Sequence, residues 1–246
     1  MAARRLRRRW GAFAEAAAGA DLGTLRRLRG TARRLRHDLD RLLHVAEARL
    51  TLPAIGSDSI PRPVLSDWAW RPEIWRGPLH PPGLAAVETR TPFGSGATIF
   101  HDCARSELTF RQVRNMRAED LAPFGLRMDV FGFSGSFLSL VIDLPPEAVQ
   151  GLTRRHIIRA EATVELERPL EIFARLNVRH GPNTEQLVQE LPPGETPAAA
   201  EFDLAYTKLN EKRVERAWID LIFERPEMNQ ILLRDLTFTR RPRADL

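Results

Sequence analysis

Residues 154–167 read RRHIIRAEATVELE and residues 170–180 read LEIFARLNVRH, and both runs alternate between apolar and polar side chains. The apolar set of the first run is Ile158, Ala160, Ala162, Val164 and Leu166, and that of the second is Leu170, Ile172, Ala174, Leu176 and Val178. A period of two residues is typical of strands that have one face on a core and the other toward solvent. Because only Arg168 and Pro169 separate the runs, we predict that they form a hairpin in an antiparallel sheet.

Eight further segments after residue 96 have strand-like patterns and are separated by turn-forming residues. They are TIFHDC, SELTFRQ, GLRMDVFGF, GSFLSLVIDL, TEQLVQEL, AEFDLAYT, VERAWIDLIFE and QILLRDLTFT. The run FGFSGSFL predicts a second hairpin, with Ser134 and Gly135 at its turn. About ten strands without an intervening long helix predict a mainly β fold, a jelly-roll-like antiparallel β-sandwich with an N-terminal α-helical segment.

The sequence predicts three parts. Residues 1–52 form a basic amphipathic helical segment, residues 53–96 a Pro/Trp-rich arm, and residues 97–246 the β-sandwich domain. A hydrophobic fraction of 43% is typical of a globular protein, and no apolar run is long enough to cross a membrane as a helix. The single Cys103 excludes an internal disulfide and fits a reducing compartment.

Residues 1–52 hold thirteen arginines against five acidic residues, so the basic character of the chain lies there. An apolar stripe at helical spacing consists of Leu28, Leu35, Leu39, Leu42, Ala46 and Leu50. Gly19, Gly23 and Gly30 predict a helix broken into two or three pieces. Asp21 and Thr24 are the candidate N-caps of the second piece.

The arginines of this segment predict contact with an anionic membrane surface or, less favoured, with nucleic acid. The candidate contacts are Arg26, Arg33, Arg34, Arg36 and Arg41. Nucleic acid ranks lower because the segment has neither an aromatic platform nor a helix-turn-helix pattern. The alternative is a solvated basic face on a helix whose leucines pack on the body or on a protein partner. A signal peptide is disfavoured because the apolar core is short and holds Glu15, so we expect a cytoplasmic location, peripheral to the membrane.

The Pro/Trp-rich arm places Trp68, Trp70 and Trp75 among prolines, which favour extended or turning chain. So much aromatic area is rarely left in water, so the arm is predicted to lie across the sandwich with its indoles buried. The alternatives are an aromatic platform that stacks on sugars and a partner-binding motif.

Five segments carry a resemblance to a known family. They are FHDCARSEL, APFGLRMDVF, FLSLVIDLP, HGPNTEQ and NEKRVERAWIDLIFERPEMNQILLRDLTFTRRPR. From Trp68 onward the chain resembles an alphaproteobacterial family, a domain of unknown function, and this resemblance implies no activity. The closing AWIDLIFE and QILLRDLTFTRR are also similar to the last strands of galactose-binding-like jelly rolls of carbohydrate-binding modules. That resemblance covers residues 97–240 and implies a jelly roll and glycan binding, although a calcium-site cluster is missing.

His101, Asp102 and Cys103 place three reactive groups together, and the first and third share a face of a strand. A cysteine nucleophile needs a base and an oxyanion site, which this spacing does not supply, so we interpret the group as a buried Cys103 beside a surface His101. No spacing fits a metal site, and no cofactor is predicted. Strand carboxylates such as Glu161, Glu165 and Glu171 leave a glycosidase pair open, but no catalytic residue is assigned.

The candidate ligand-binding face is the polar side of the later strands. It consists of Phe173, Arg175, Asn177, Trp218 and Asp220. An aromatic plane flanked by hydrogen-bonding groups suits a sugar, which stacks its C–H face and pairs its hydroxyls. The alternative is that the two rings pack beneath the arm or the helix.

These patterns predict a non-catalytic β-sandwich protein that binds a ligand. A glycan, in particular a cell-envelope polysaccharide, is the first ligand class to test. One alternative is a structural or assembly component that docks through the basic helix and the Trp-rich arm. The other is a hydrolase built on the jelly roll.

Overall fold

The computed structural model describes residues 2–51, 59–105, 107–192 and 194–243. The chain divides into two compact units, Met1–Glu47 and Ala48–Leu246. The first residues of the predicted arm, 53–58, lie outside the described residues.

The first unit is helical. Helix α1 spans Ala2–Ala16, and α2 spans Leu22–Thr51 after a short 3-10 turn at Ala17–Gly19. The Oδ1 atom of Asp21 accepts a hydrogen bond from the Thr24 N–H at 2.9 Å, which confirms Asp21 as the N-cap and lowers its pKa. The segment is broken into two pieces, as predicted, at Ala17–Gly19, while α2 continues through Gly23 and Gly30. A glycine costs a helix only about 1 kcal/mol relative to alanine, which does not end a helix of this length.

The second unit consists of two antiparallel sheets with a hydrophobic core between them. Sheet A contains β1 (Trp68–Trp70), β2 (Gly83–Ala85), β5 (Leu108–Arg114), β6 (Phe124–Val130), β8 (His156–Leu166), β11 (Ala198–Asp203) and β13 (Asn229–Pro242). Sheet B contains β3 (Thr91–Pro92), β4 (Ala97–His101), β7 (Leu138–Asp143), β9 (Ile172–His180), β10 (Asn183–Leu191) and β12 (Val214–Phe223). Two one-turn helices, α3 (Glu73–Arg76) and α4 (Pro146–Val149), lie in the connections.

The mainly β, antiparallel sandwich is confirmed, and each of the ten predicted strand segments contains a strand. The order of sheet A is β11-β8-β13-β6-β5-β2, with β1 beside β13, and the order of sheet B is β10-β9-β12-β7-β4-β3.

Both predicted hairpins are wrong. Strand β8 pairs with β11 and β13 in sheet A, whereas β9 pairs with β10 and β12 in sheet B. The run FGFSGSFL likewise connects β6 of sheet A to β7 of sheet B. Because these consecutive strands lie in opposite sheets, their apolar faces pack against each other in the core. Ala160 of β8 and Leu176 of β9 are both fully buried there. Alternation predicts a buried face but does not say which sheet the strand joins.

The Pro/Trp-rich segment contributes directly to the sandwich. Strand β1 pairs with β13, and the fully buried Trp75 donates its Nε1–H to the carbonyl of Leu233 at 2.9 Å. The guanidinium of Arg71 binds both carboxylate oxygens of Asp235 at 2.8 Å. These contacts tie the segment to the longest strand of sheet A. The division of the chain at residues 52 and 96 stays a prediction.

Candidate functional site

The outer face of sheet B is formed by alternate residues of neighbouring strands, and the register places them in three rows. The rows are Asn177–Trp218–Asp143, Arg175–Asp220–Val141–Thr98 and Phe173–Ile222–Ser139–Phe100. The five residues of the predicted ligand-binding face therefore lie side by side on β9 and β12. Their partners on β7 and β4 could not be read from the sequence, because those strands are distant in the chain.

A cavity of about 650 Å³ opens on this face. Its lining residues are Thr98, Phe100, Phe137, Ser139, Val141, Asp143, Arg175, Arg216, Trp218, Asp220 and Ile222. Three of the predicted residues, Arg175, Trp218 and Asp220, contribute to the lining. Phe173 and Asn177 share the face but do not line this cavity.

The carboxylate of Asp220 lies at the centre of a hydrogen-bond network. Asp220 is 3% exposed, and its Oδ2 atom accepts hydrogen bonds from Arg175 Nε at 2.7 Å and from Asn177 Nδ2 at 3.1 Å. The Nη2 atom of Arg175 lies 2.6 Å from the same oxygen. Asn177 is buried, and its Oδ1 accepts a hydrogen bond from Gln186 at 2.9 Å. Asn177 therefore positions Asp220, while Arg175 remains partly open to the cavity.

Trp218 and two phenylalanines supply the aromatic surface of the cavity. Trp218 is half-buried, and the guanidinium carbon of Arg216 lies 4.7 Å from its ring centroid, which is a cation–π contact. Phe137 is 39% exposed, and Phe100 is half-buried. Trp218 and Phe173 are both half-buried, and the alternative that they pack beneath the arm or the helix stays a prediction.

Ser139 lies on the outer side of β7 and lines the cavity, yet it is only 5% exposed. Among the described residues, its Oγ atom has no hydrogen-bond partner. Buried polar groups are nearly always satisfied, so an unsatisfied hydroxyl beside a cavity is an exception that calls for an explanation. Alternation in FLSLVID predicts that Ser139 points outward. The lack of a hydrogen-bond partner for its hydroxyl is seen only in the folded structure, where neighbouring strands surround it.

The interpretation of His101 and Cys103 needs correction. His101 is buried, at 5% exposure, whereas Cys103 is half-buried. The Nδ1 atom of His101 accepts the Cys103 N–H at 3.2 Å, so its Nε2 carries the proton that binds the carbonyl of Val87 at 2.8 Å. The His101 ring is buried because His101 follows Ile99 by two residues on β4, so that both side chains point to the core. Asp102 accepts hydrogen bonds from the Ser136 hydroxyl and backbone, and these lower its pKa. The three groups thus hold loops together.

Of the three glutamates considered for a glycosidase, Glu161 and Glu165 lie on β8 of sheet A, whereas Glu171 directly precedes β9 of sheet B. Glu161 and Glu165 border a second cavity of about 430 Å³ on sheet A. Glu165 is bound by Arg234 and Arg117, and the hydrogen bond from Arg234 is the main reason that its pKa is lowered. Glu161 pairs with Arg159 at 2.8 Å. The carboxylates of Glu161 and Glu165 therefore both form ion pairs with arginines.

Two further observations concern metals and membranes. Within the described parts of the chain, no group of three or more His, Cys, Asp or Glu side chains is arranged to hold a metal ion. Among the described helices, none combines the length and the apolar character needed to cross a membrane.

The five arginines predicted to contact an anionic surface are all exposed on α2.

The chain is thus a two-sheet antiparallel β-sandwich protein with helices at its N-terminus. It belongs to a family of unknown function, DUF6478, whose model matches residues 1–246. The resemblance to a domain of unknown function is confirmed, while the alphaproteobacterial origin stays a prediction. No curated protein has significant sequence similarity to the chain.

Several solved structures are similar to the sandwich. The family 11 carbohydrate-binding module from Clostridium thermocellum, in complex with a β-1,3-1,4-mixed-linked tetrasaccharide, has 9% identity and a TM-score of 0.41, over 64% of this chain and 96% of that one. The CBM22-1 xylan-binding domain from Paenibacillus barcinonensis Xyn10C has 10% identity and a TM-score of 0.38, over 66% and 94%. The active domain of bacteriophage CBA120 tailspike protein 4 has 9% identity and a TM-score of 0.42, and the match covers 58% of this chain but only 19% of that one.

Proposed function

We propose that the protein is a non-catalytic glycan-binding protein and that the outer face of sheet B is its binding site. The observation that carries the proposal is the unsatisfied hydroxyl of Ser139 at the base of a cavity of about 650 Å³ that is also lined by Trp218. A hydrogen-bonding group without a partner, beside an aromatic ring, matches the two kinds of surface that a sugar presents.

The polar groups around the cavity support a neutral ligand. Two acids, Asp143 and Asp220, and two bases, Arg175 and Arg216, line it, so their formal charges cancel. Sugar hydroxyls both donate and accept hydrogen bonds, and such a wall offers carboxylate acceptors and guanidinium donors together. Asp220 keeps Oδ1 free of hydrogen bonds among the described residues, because its contacts all fall on Oδ2.

The dimensions of the cavity support recognition of a chain of sugars. Its lining comes from four adjacent strands, β4, β7, β12 and β9, and neighbouring strands lie about 4.8 Å apart. The cavity therefore crosses roughly three strand spacings, about 14 Å, which exceeds the width of one sugar ring. A polysaccharide of the cell envelope is the first source of such a chain to test.

The proposal is tested by screening the full-length protein on an array of neutral and acidic oligosaccharides, followed by calorimetric titration with the best binder. We expect Ser139→Ala to lower affinity about fivefold, the value of one hydrogen bond. Stability should stay the same or rise, because the substitution removes a buried hydroxyl that has no partner.

The matched control is Ser66→Ala. The Ser66 hydroxyl donates to the carbonyl of Pro63 at 2.8 Å and is not part of the cavity lining. This variant should keep full affinity. Binding that survives both Ser139→Ala and Trp218→Ala would contradict the proposed site, and release of shortened oligosaccharides by the wild-type protein would contradict its non-catalytic character.

A further inference from the structure

The two helices of the first unit differ in length. Helix α1 has 15 residues and α2 has 30, which correspond to about 22 Å and 45 Å at 1.5 Å per residue. Leu6, Trp10 and Phe13 of α1 share a groove of about 420 Å³ with the beginning of α2. On α2 this groove reaches Thr31, so α1 accompanies only the first half of the longer helix.

The second half of α2 exposes a stripe of leucines. Leu39, Leu42 and Leu43 are 47%, 62% and 54% exposed. With Leu35 and Ala46 they recur at steps of three and four residues, which places them on one helical face. Leu50, the last member of the predicted stripe, lies outside the described side chains. An apolar stripe left in water gives a long helix little stabilisation, so this face fits a partner.

The charge of the unit defines the chemistry of that partner. Residues 1–47 hold twelve arginines and five acidic residues. At 100° per residue, Arg33, Arg34 and Arg41 point away from Leu39 and Arg36 lies beside the stripe. All four are exposed, and only Arg36 has a carboxylate partner among the described residues, Asp40 at 3.3 Å.

We infer that residues 33–43 of α2 dock the protein onto an anionic lipid surface, with their leucines at the boundary of the acyl chains and their arginines among the headgroups. A second copy of the helix would cover the leucines but would bring the like charges of two arginine-rich units together. A nucleic acid would neutralise the arginines but leave the leucines in water. Of these three occupants, the lipid interface is the one that satisfies both sets of side chains. This docking surface does not depend on the proposed glycan site.

The test is co-sedimentation of the full-length chain with vesicles of phosphatidylcholine and phosphatidylglycerol in equal parts, compared with vesicles of phosphatidylcholine alone. We expect binding to the anionic vesicles that weakens as salt shortens the Debye length. Replacing Arg33, Arg34, Arg36 and Arg41 by Gln should lower the partition coefficient roughly 600-fold, because each arginine near such a surface contributes roughly a fivefold factor.

The leucine variant combines Leu39→Ala, Leu42→Ala and Leu43→Ala. Alanine preserves helix propensity, so the far-ultraviolet circular dichroism should not change while the partition coefficient falls about tenfold or more. The matched charge control replaces four exposed arginines of the second unit by Gln. They are Arg62, Arg76, Arg105 and Arg168. The control should keep most of the binding, since these four arginines are not part of the docking surface.

Three results would overturn the inference. The first is equal binding to both kinds of vesicle at low salt. The second is binding to anionic vesicles that the leucine variant retains in full. The third is a dimer, seen by analytical ultracentrifugation, that the leucine variant converts to a monomer while vesicle binding is unaffected. Loss of glycan binding has no bearing here, because every substitution lies outside the outer face of sheet B.

Discussion

Arg175 of β9 and Asp220 of β12 face each other across neighbouring strands, with Nη2 2.6 Å from Oδ2. The two side chains are unequally exposed, at 37% for Arg175 and 4% for Asp220. The pair therefore presents a guanidinium to the cavity while its carboxylate is held beneath the surface. This arrangement couples the candidate binding site to the stability of sheet B.

Removal of Arg175 should destabilise the protein. Arg175→Ala leaves the buried carboxylate of Asp220 with Asn177 as its remaining partner, and we expect a loss of about 2 kcal/mol in the free energy of unfolding. Urea denaturation measures this loss. The control is Arg179→Ala on the same strand, since Arg179 pairs with Glu215 at 3.1 Å but both side chains are about half exposed. That exposed pair should contribute less than about 0.5 kcal/mol. Equal losses in the two variants would contradict the expectation.

Trp218 should matter more for glycan binding than for stability. Trp218→Ala removes the ring over which Arg216 lies, and we expect affinity for the oligosaccharide found on the array to fall about tenfold. The control is Tyr206→Ala, because Tyr206 also lies under an arginine, Arg243 at 5.5 Å, but is 81% exposed and is not part of the cavity lining. Calorimetric titration and thermal melting are measured for both. A large fall in melting temperature for Trp218→Ala, with no change in affinity per folded molecule, would identify the indole as a core side chain.

The ion pairs of Glu165 should make part of the stability depend on pH. Hydrogen bonds from Arg234 hold the pKa of Glu165 below its ordinary value of 4.5. A lowered pKa in the folded state stabilises the protein above pH 4.5, and this contribution is lost as the pH falls through that value toward the folded-state pKa. Glu165 is about one-third exposed, so solvent screening limits the contribution to about 1 kcal/mol at pH 7.

The matched measurement compares the wild-type protein with Glu165→Gln by urea denaturation at pH 7 and again near pH 3. We expect the variant to be less stable at pH 7 and the difference to shrink at the lower pH. A difference that is equal at the two values would show that the carboxylate charge of Glu165 does not contribute.

Truncation should separate the helices from the sandwich. A chain beginning at Pro53 lacks α1 and α2 but retains β1 to β13, and we expect it to keep a cooperative unfolding transition. A chain beginning at Ala97 also lacks β1 and Trp75, whose burial and bond to Leu233 are part of the core. Burying a Trp stabilises a protein by about 3–5 kcal/mol, so this shorter chain should unfold or aggregate. Calorimetry of both truncations checks the boundary at residue 52, and a stable shorter chain would place it later.

Predictions from local sequence patterns were confirmed where residues close together in the chain determine the structure by themselves. Period-two alternation identified β8, β9 and the other long strands, because successive side chains of a strand point to opposite faces wherever that strand lies. Asp21 was identified as an N-cap for the same reason, since its bond to Thr24 spans only three residues. The outward positions of Arg175 and Asp220 also follow from this local geometry.

Predictions about neighbours failed where the partner is distant in sequence. The short break after β8 favoured a hairpin. In a β-sandwich, however, the apolar face of each sheet must be covered by the other sheet, and β9 lies in the sheet opposite β8. The burial of His101 beside Val87 was missed because it depends on chain from a separate segment.

By itself the sequence determined which side of each strand is polar, which helices are basic and where the tryptophans concentrate. Only the tertiary structure decided that Ser139, Trp218 and Arg175 border one cavity and that the Ser139 hydroxyl has no partner there. The physical reason is that side-chain direction is set by each residue's own backbone, whereas strand order and register are set by the closure of two sheets around a shared core.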